Sequence, residues 1–199
     1  MPRVSLIYRN LFFYRLFMNL LYFGGYKSRF KLLFKYIIQS KSVLEICFGD
    51  IIIADFCRKN NILWTGYDIN ESFVNYAKIR GYNAVQSDVK EVEVLPVNDL
   101  CIISGSLYHF AEKTDLFFIK ILNSSKRIII SEPVKNLSDN RGLIGFIAKH
   151  SANSGKGYKK FRYTEKTIIE MIEQQKIKHR FDYKILYKFR KDLIIEITK

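Results

Sequence analysis

Between residues 42 and 132, short β-rich runs alternate with longer segments whose apolar residues recur three and four positions apart. That alternation is the mark of βαβ units on a parallel sheet. The first run, Ser42 to Cys47, leads into Asp50 to Asn60, where Ile52, Ile53, Phe56 and Cys57 fall at helical spacing. A second run, Ile62 to Tyr67, ends at Asp68; Asn70 then suits the N-cap of a helix carrying Phe73, Val74 and Ala77, which Gly81 stops. Strands three and four are Ala84 to Gln86 and Asp99 to Ser104, followed by a helix near Lys113 to Leu122. Arg127 to Ser131 is the fifth, and the stretch from Ile128 reads as buried on both faces. Thr164 caps a helix over Glu165 to Gln175, and two last runs near Phe181 to Phe189 and Asp192 to Thr198 pair through the Arg190-Lys191 corner. Together these elements predict a doubly wound α/β domain over residues 42–199: a mostly parallel seven-stranded sheet with a closing antiparallel strand and helices on both faces.

Two stretches fall outside that rhythm. Residues 135–160 are rich in Asn, Ser, Gly and Lys, with a short helix expected at Leu143 to Lys149, and read as an insertion over a site. Residues 1–41 form a separate N-terminal element in which aromatics and leucines alternate with basic residues from Leu6 to Ile38, broken at Gly24-Gly25. Its longest charge-free stretch, Leu16 to Tyr26, is 11 residues, well below the roughly 20 that span a bilayer. A pair of amphipathic helices is expected, either packed on the sheet as a lid or lying on an anionic membrane surface.

Charge sharpens this division. The net charge of +14 is split into +8 over residues 1–41, −1 over 42–155 and +7 over 156–199, so basic ends flank a near-neutral middle. Such ends suit an anionic partner: a phosphate-bearing substrate, a membrane surface or nucleic acid. The three cysteines, Cys47, Cys57 and Cys101, are odd in number and lack a CxxC spacing, so neither a disulfide framework nor a metal site is expected. Arg3, Arg9 and Arg15 interrupt the early apolar stretch, which therefore does not read as a signal peptide; a cytoplasmic location, peripheral to the membrane at most, is the expectation.

Open parallel sheets bind ligands at the carboxyl ends of their strands, near the point where strand order reverses. Chemistry-bearing residues do gather there: Glu45 to Gly49 after strand one, Asp68 after strand two, Asp88 after strand three, and Ser104 to His109 after strand four. The run Val43-Leu44-Glu45-Ile46-Cys47-Phe48-Gly49-Asp50 resembles the first motif of the class I methyltransferases that use S-adenosylmethionine (SAM), an acid followed by a Gly-x-Gly-x-Gly turn. Here the three glycine positions hold Cys47, Gly49 and Ile51. Asp68 lies 19 residues after Gly49, near the roughly 20-residue interval at which a second-strand carboxylate meets ribose hydroxyls. Asp99 to Ser104 and Leu107 to Phe110 resemble that family's fourth motif and the Leu-x-His segment after it; the likeness covers about residues 42–133. It implies SAM as cofactor, held by Glu45, Cys47, Gly49, Asp68, Ile69, Asp88, Val89 and Ser104, with Asp88 taking the adenine amino group.

Methyl transfer from a sulfonium needs no proton on its leaving group, so positioning supplies much of the rate. Where the acceptor is a hydroxyl, a histidine can take its proton near neutral pH. His109 is that candidate, with Tyr108 to orient the acceptor and Glu132 and His150 as weaker ones. The expected function is methylation of a small-molecule or lipid-like acceptor. The alternatives are an RNA methyltransferase or RNA-binding relative gripping phosphates with its basic ends, and a non-catalytic methyltransferase-like protein. Ser104-Gly105-Ser106 stands after strand four in place of the Asn-Pro-Pro-Tyr type segment of adenine-N6 enzymes, which favours the first reading.

Overall fold

Strict alternation along the central strands decides which side chains meet which helices. In the computed structural model, which describes residues 6–134 and 161–199, Ile128 and Ile130 point into one buried cluster while Ile129 points into the other. Their strand is thus covered on both faces, as its unbroken apolar run requires. In chain order the elements are α1 (Leu6–Arg9), α2 (Leu11–Leu21), α3 (Tyr26–Ile37), β1 (Ser42–Ile46), α4 (Ile52–Lys59), β2 (Leu63–Asp68), α5 (Glu71–Ile79) and β3 (Asn83–Gln86). There follow β4 (Asn98–Ser104), a 3-10 helix (Leu107–Lys113), α6 (Thr114–Ser124), β5 (Ser125–Pro133), α7 (Glu165–His179), β6 (Asp182–Phe189) and β7 (Asp192–Thr198).

The strands form one seven-stranded sheet in the order β3-β2-β1-β4-β5-β7-β6. β1 pairs in parallel with β2 on one side and β4 on the other, so strand order reverses between β1 and β4 and opens a crevice at their carboxyl ends. β7 runs antiparallel to both β5 and β6 and closes the sheet, as the two terminal runs and their Arg190-Lys191 corner predict. Helices α2 to α5 contribute to the cluster on one face, and α6 and α7 to the cluster on the other.

Local chemistry sets most element ends. Asn70 accepts a hydrogen bond from the Phe73 amide and caps α5. Thr164 and Thr167 form a reciprocal capping box, and α7 runs on to His179, four residues past the expected end. The N-terminal element differs from the expected pair of helices. Asn10 adopts an extended conformation (φ −146°, ψ 131°) and its side chain caps Phe12 N, which divides a short α1 from α2. The insertion at 135–160, its helix at Leu143 to Lys149, and His150 lie outside the described residues.

Candidate functional site

The end of β1 determines the shape of the site. Cys47 leaves the strand at φ +56°, in the left-handed region that glycine adopts without cost, and Gly49 follows at φ +60°. The third glycine position is different: Ile51 has φ −83° and its side chain is buried in the core beside α4. Of the two departures from the glycine pattern, Ile51 thus costs nothing, whereas Cys47 holds a side chain where backbone geometry favours none. Replacing it should release that strain. Cys47→Gly is expected to raise stability by up to about 1 kcal/mol, roughly 2–4 °C in melting temperature. A lowered melting temperature would show that the thiol's packing outweighs its backbone.

A cavity opens at the carboxyl ends of β1, β2 and β4. Cys47, Gly49, Asp68, Ile69, Asp88, Val89, Ser104, Tyr108 and His109 all line it. The residues expected from four separate strand ends therefore converge on one space. Glu45 does not join them. It lies on the strand face that also carries Val43, 1% exposed, and accepts a hydrogen bond from the Trp64 indole N–H at 2.8 Å. Burial pushes its carboxyl well above the usual range, partly countered by that bond. Glu45 thus supports β1 and β2 from beneath the turn.

Asp68 is the best-defined group in the cavity. Its Oδ2 accepts from Gly49 N at 2.9 Å and its Oδ1 from Asn70 N at 2.8 Å. One carboxylate thereby ties the first turn to the start of α5. Burial raises its pKa to about 6, against the pull of the Asn70, Gly49 and Ile69 amides. Asp88 Oδ1 accepts from Lys90 N at 3.1 Å, and the Lys120 ammonium donates to the Val89 and Lys90 carbonyls at 3.1 and 2.9 Å, which fixes this second loop. Ser104 Oγ is buried in the cavity wall with no hydrogen-bond partner among the described residues.

Tyr8 and Tyr14, from α1 and α2, form a wall that sequence patterning does not single out. The Tyr14 hydroxyl stands 3.0 Å from where a Cβ on Gly49 would be. Both rings lean on Phe73 of α5, at centroid distances of 6.1 and 5.0 Å. Two polar ties secure the wall. Asn70 Nδ2 donates to the Tyr8 carbonyl at 2.8 Å, and Arg15 grips Asp50 with Nε to Oδ2 at 2.9 Å and Nη2 to Oδ1 at 2.7 Å. The cavity these walls leave is about 120 Å³, smaller than the roughly 300–1,000 Å³ usual for small-molecule sites. A ligand of nucleoside size therefore requires the walls of this cavity to move apart.

Also on the cavity, the Tyr108 and His109 rings lie 4.0 Å apart, tilted by 37°, and the Arg162 guanidinium lies 3.7 Å over the Tyr108 ring. Burial raises the Tyr108 hydroxyl's pKa, so it stays protonated. Glu132 does not line the cavity but stands behind this segment: it is 1% exposed and its Oε2 accepts from Leu107 N at 3.0 Å. Burial lifts its pKa to about 8 from an ordinary 4.5. Because the folded state holds this proton more tightly, the stability it contributes is complete below pH 4.5 and is lost as pH rises toward 8. Glu132→Gln should flatten the decline of urea stability across that window; an unchanged slope would assign the decline to other groups.

Comparison with protein-family models and with curated proteins gives no match. Solved structures do match. A SAM dependent methyltransferase from Archaeoglobus fulgidus superposes with TM-score 0.62 at 19% identity, covering 87% of this chain and 92% of its own. The plantazolicin methyltransferase in complex with S-adenosylhomocysteine (SAH) gives 0.68 at 13% identity, over 97% and 93%. Magnesium protoporphyrin IX methyltransferase from Synechocystis with bound SAM gives 0.59 at 13%, over 88% and 80%. The seven-stranded sheet with its one reversed strand is thus that of the class I SAM-dependent methyltransferase fold.

Proposed function

We propose that the chain is a SAM-dependent methyltransferase acting on a small-molecule or lipid-like acceptor. The observation that carries this reading is the Asp68 carboxylate, which lines the cavity at the end of β2 and is fixed there by the Gly49 and Asn70 amides, where a strand-end carboxylate can accept from the hydroxyls of a ribose. The surrounding groups fit the rest of the cofactor. Asp88 and Val89 offer an acceptor and an apolar edge for the adenine, and Cys47, Gly49 and the unpartnered Ser104 hydroxyl line the space beside β1 and β4. Bound SAM would supply an electrophilic methyl on a sulfonium whose departure needs no acid.

What this chain adds is placement and proton handling. Tyr108 orients an acceptor through its protonated hydroxyl, and His109 beside it takes the acceptor's proton. Tyr8 and Tyr14 exclude water from the opposite wall. Family resemblance, sheet topology and the convergence of strand-end residues all support the reading. The solved relatives include enzymes named for plantazolicin and for magnesium protoporphyrin IX, which supports the acceptor class proposed here.

The test joins calorimetry with SAM to a measurement of SAH release over fractionated acceptors. SAM binding with SAH release in the small-molecule or lipid fraction is expected. Turnover confined to RNA would overturn the acceptor class, and absence of SAM binding would overturn the whole reading.

A further inference from the structure

Helix α2 is apolar on two opposite faces. Its inner face, with Leu11, Tyr14 and Met18, packs into the core and the cavity wall. Its outer face carries Phe12, Phe13, Leu16 and Leu20, and just beyond the helix Phe23, which are 67%, 53%, 52%, 60% and 71% exposed. At 3.6 residues per turn these five fall within an arc of about 100°. Single exposed apolar residues need no explanation, but a continuous stripe does. Phe23 adds a second sign of purpose, being held outward at φ +48°, a conformation costly for a bulky residue.

The charge of the adjoining helix α3, which packs against α2, indicates what covers it. On α3, Lys27, Lys31 and Lys35 are exposed on successive turns, and no acidic residue occurs in the chain before Glu45. A second copy of the chain would bring two cationic rims together at the same stripe. A nucleic acid would satisfy the lysines yet leave five large apolar side chains in water. An anionic bilayer surface satisfies both, with apolar side chains in the acyl boundary and lysines among headgroups. An 11-residue helix is about 16 Å long, too short for the roughly 30 Å hydrocarbon core and suited to lying in its plane. No described helix is long and apolar enough to cross a membrane.

We propose that the outer face of α2, with Lys27 and Lys31 of α3, seats the protein on anionic phospholipid. The test is flotation with vesicles of equimolar phosphatidylglycerol and phosphatidylcholine against vesicles of phosphatidylcholine alone. The protein should partition to the anionic vesicles at least about tenfold more strongly, with an affinity that falls as salt rises. Phe12→Asp/Phe23→Asp should lose at least about tenfold in partitioning with an unchanged melting temperature, and Lys27→Glu/Lys31→Glu should lose a similar factor together with the salt dependence. Failure of the unaltered protein to float with anionic vesicles would overturn the proposal, as would flotation of the phenylalanine variant at full strength. So would a dimer in sedimentation velocity that the phenylalanine variant abolishes, since a second copy would then cover the stripe. The measurement uses no SAM, so its outcome is independent of the cofactor reading.

Discussion

Asp68→Ala should weaken SAM binding by about a hundredfold, equivalent to about 3 kcal/mol for two hydrogen bonds to a charged acceptor. The expectation follows from what the carboxylate does in the free protein. It lines the cavity while holding the Gly49 and Asn70 amides, so alanine removes the acceptor proposed for the ribose and loosens the two turns together. Asp68→Asn separates the two effects, because it keeps one acceptor oxygen and should fall between alanine and the unaltered chain. The pKa of about 6 adds a signature. Ribose hydroxyls donate to the ionised form, so affinity should decline as pH falls through 6 and stay flat in the asparagine variant. Isothermal calorimetry reads both effects, and alanine binding SAM as tightly as aspartate would end the ribose assignment.

Asp192→Asn should destabilise the fold by about 3–5 kcal/mol, the usual cost of stranding one charge of a buried pair. Asp192 is fully buried at the start of β7, and its Oδ2 lies 2.8 Å from Nε of Arg29, which is 4% exposed on α3. Its other oxygen accepts from the Tyr22 hydroxyl at 3.0 Å, and the guanidinium stacks 4.8 Å from the Tyr22 ring centre. Asparagine keeps the acceptor for Tyr22 and removes only the countercharge, leaving the arginine charged under the N-terminal helices. Arg29→Met/Asp192→Asn should therefore recover more than half of the loss. Urea denaturation of the three variants is decisive: a single-variant loss under about 1 kcal/mol, or a double variant no better than the single one, would deny the pair its structural role.

Strand patterning and strand-end acids made the sheet and one side of the cavity legible. Asp68 and Asp88 stand out because each follows a β-rich run, and the fold gives each a turn contact as well as a place at the cavity. The motif alone could not separate Cys47 from Ile51. Both replace glycine, and only backbone geometry shows that one sits at positive φ while the other is ordinary helix-entry chain. Glu45 misleads for a related reason, since strand alternation turns its side chain toward Trp64 and away from the cavity. Tyr8 and Tyr14 were illegible because their role depends on where α1 and α2 dock. In a chain with 13 tyrosines and 16 phenylalanines, these two look like ordinary core aromatics. Arg29 was hidden likewise among neighbouring cations until β7 supplied its partner.

That partner comes late. The Tyr22 and Asp192 side chains meet across 170 positions of sequence, and Arg190 donates to the Tyr22 carbonyl across 168. During synthesis helices α1 to α3 emerge well before β7, carrying an arginine destined for the interior ahead of its countercharge. They can neither bury it nor close over the cavity in their final place until the last hairpin has left the ribosome. Within this chain the helices that wall the cavity are thus translated before the hairpin that anchors them, so a nascent chain lacking that hairpin carries them without the hold of Asp192 on Tyr22 and Arg29 or of Arg190 on the Tyr22 carbonyl.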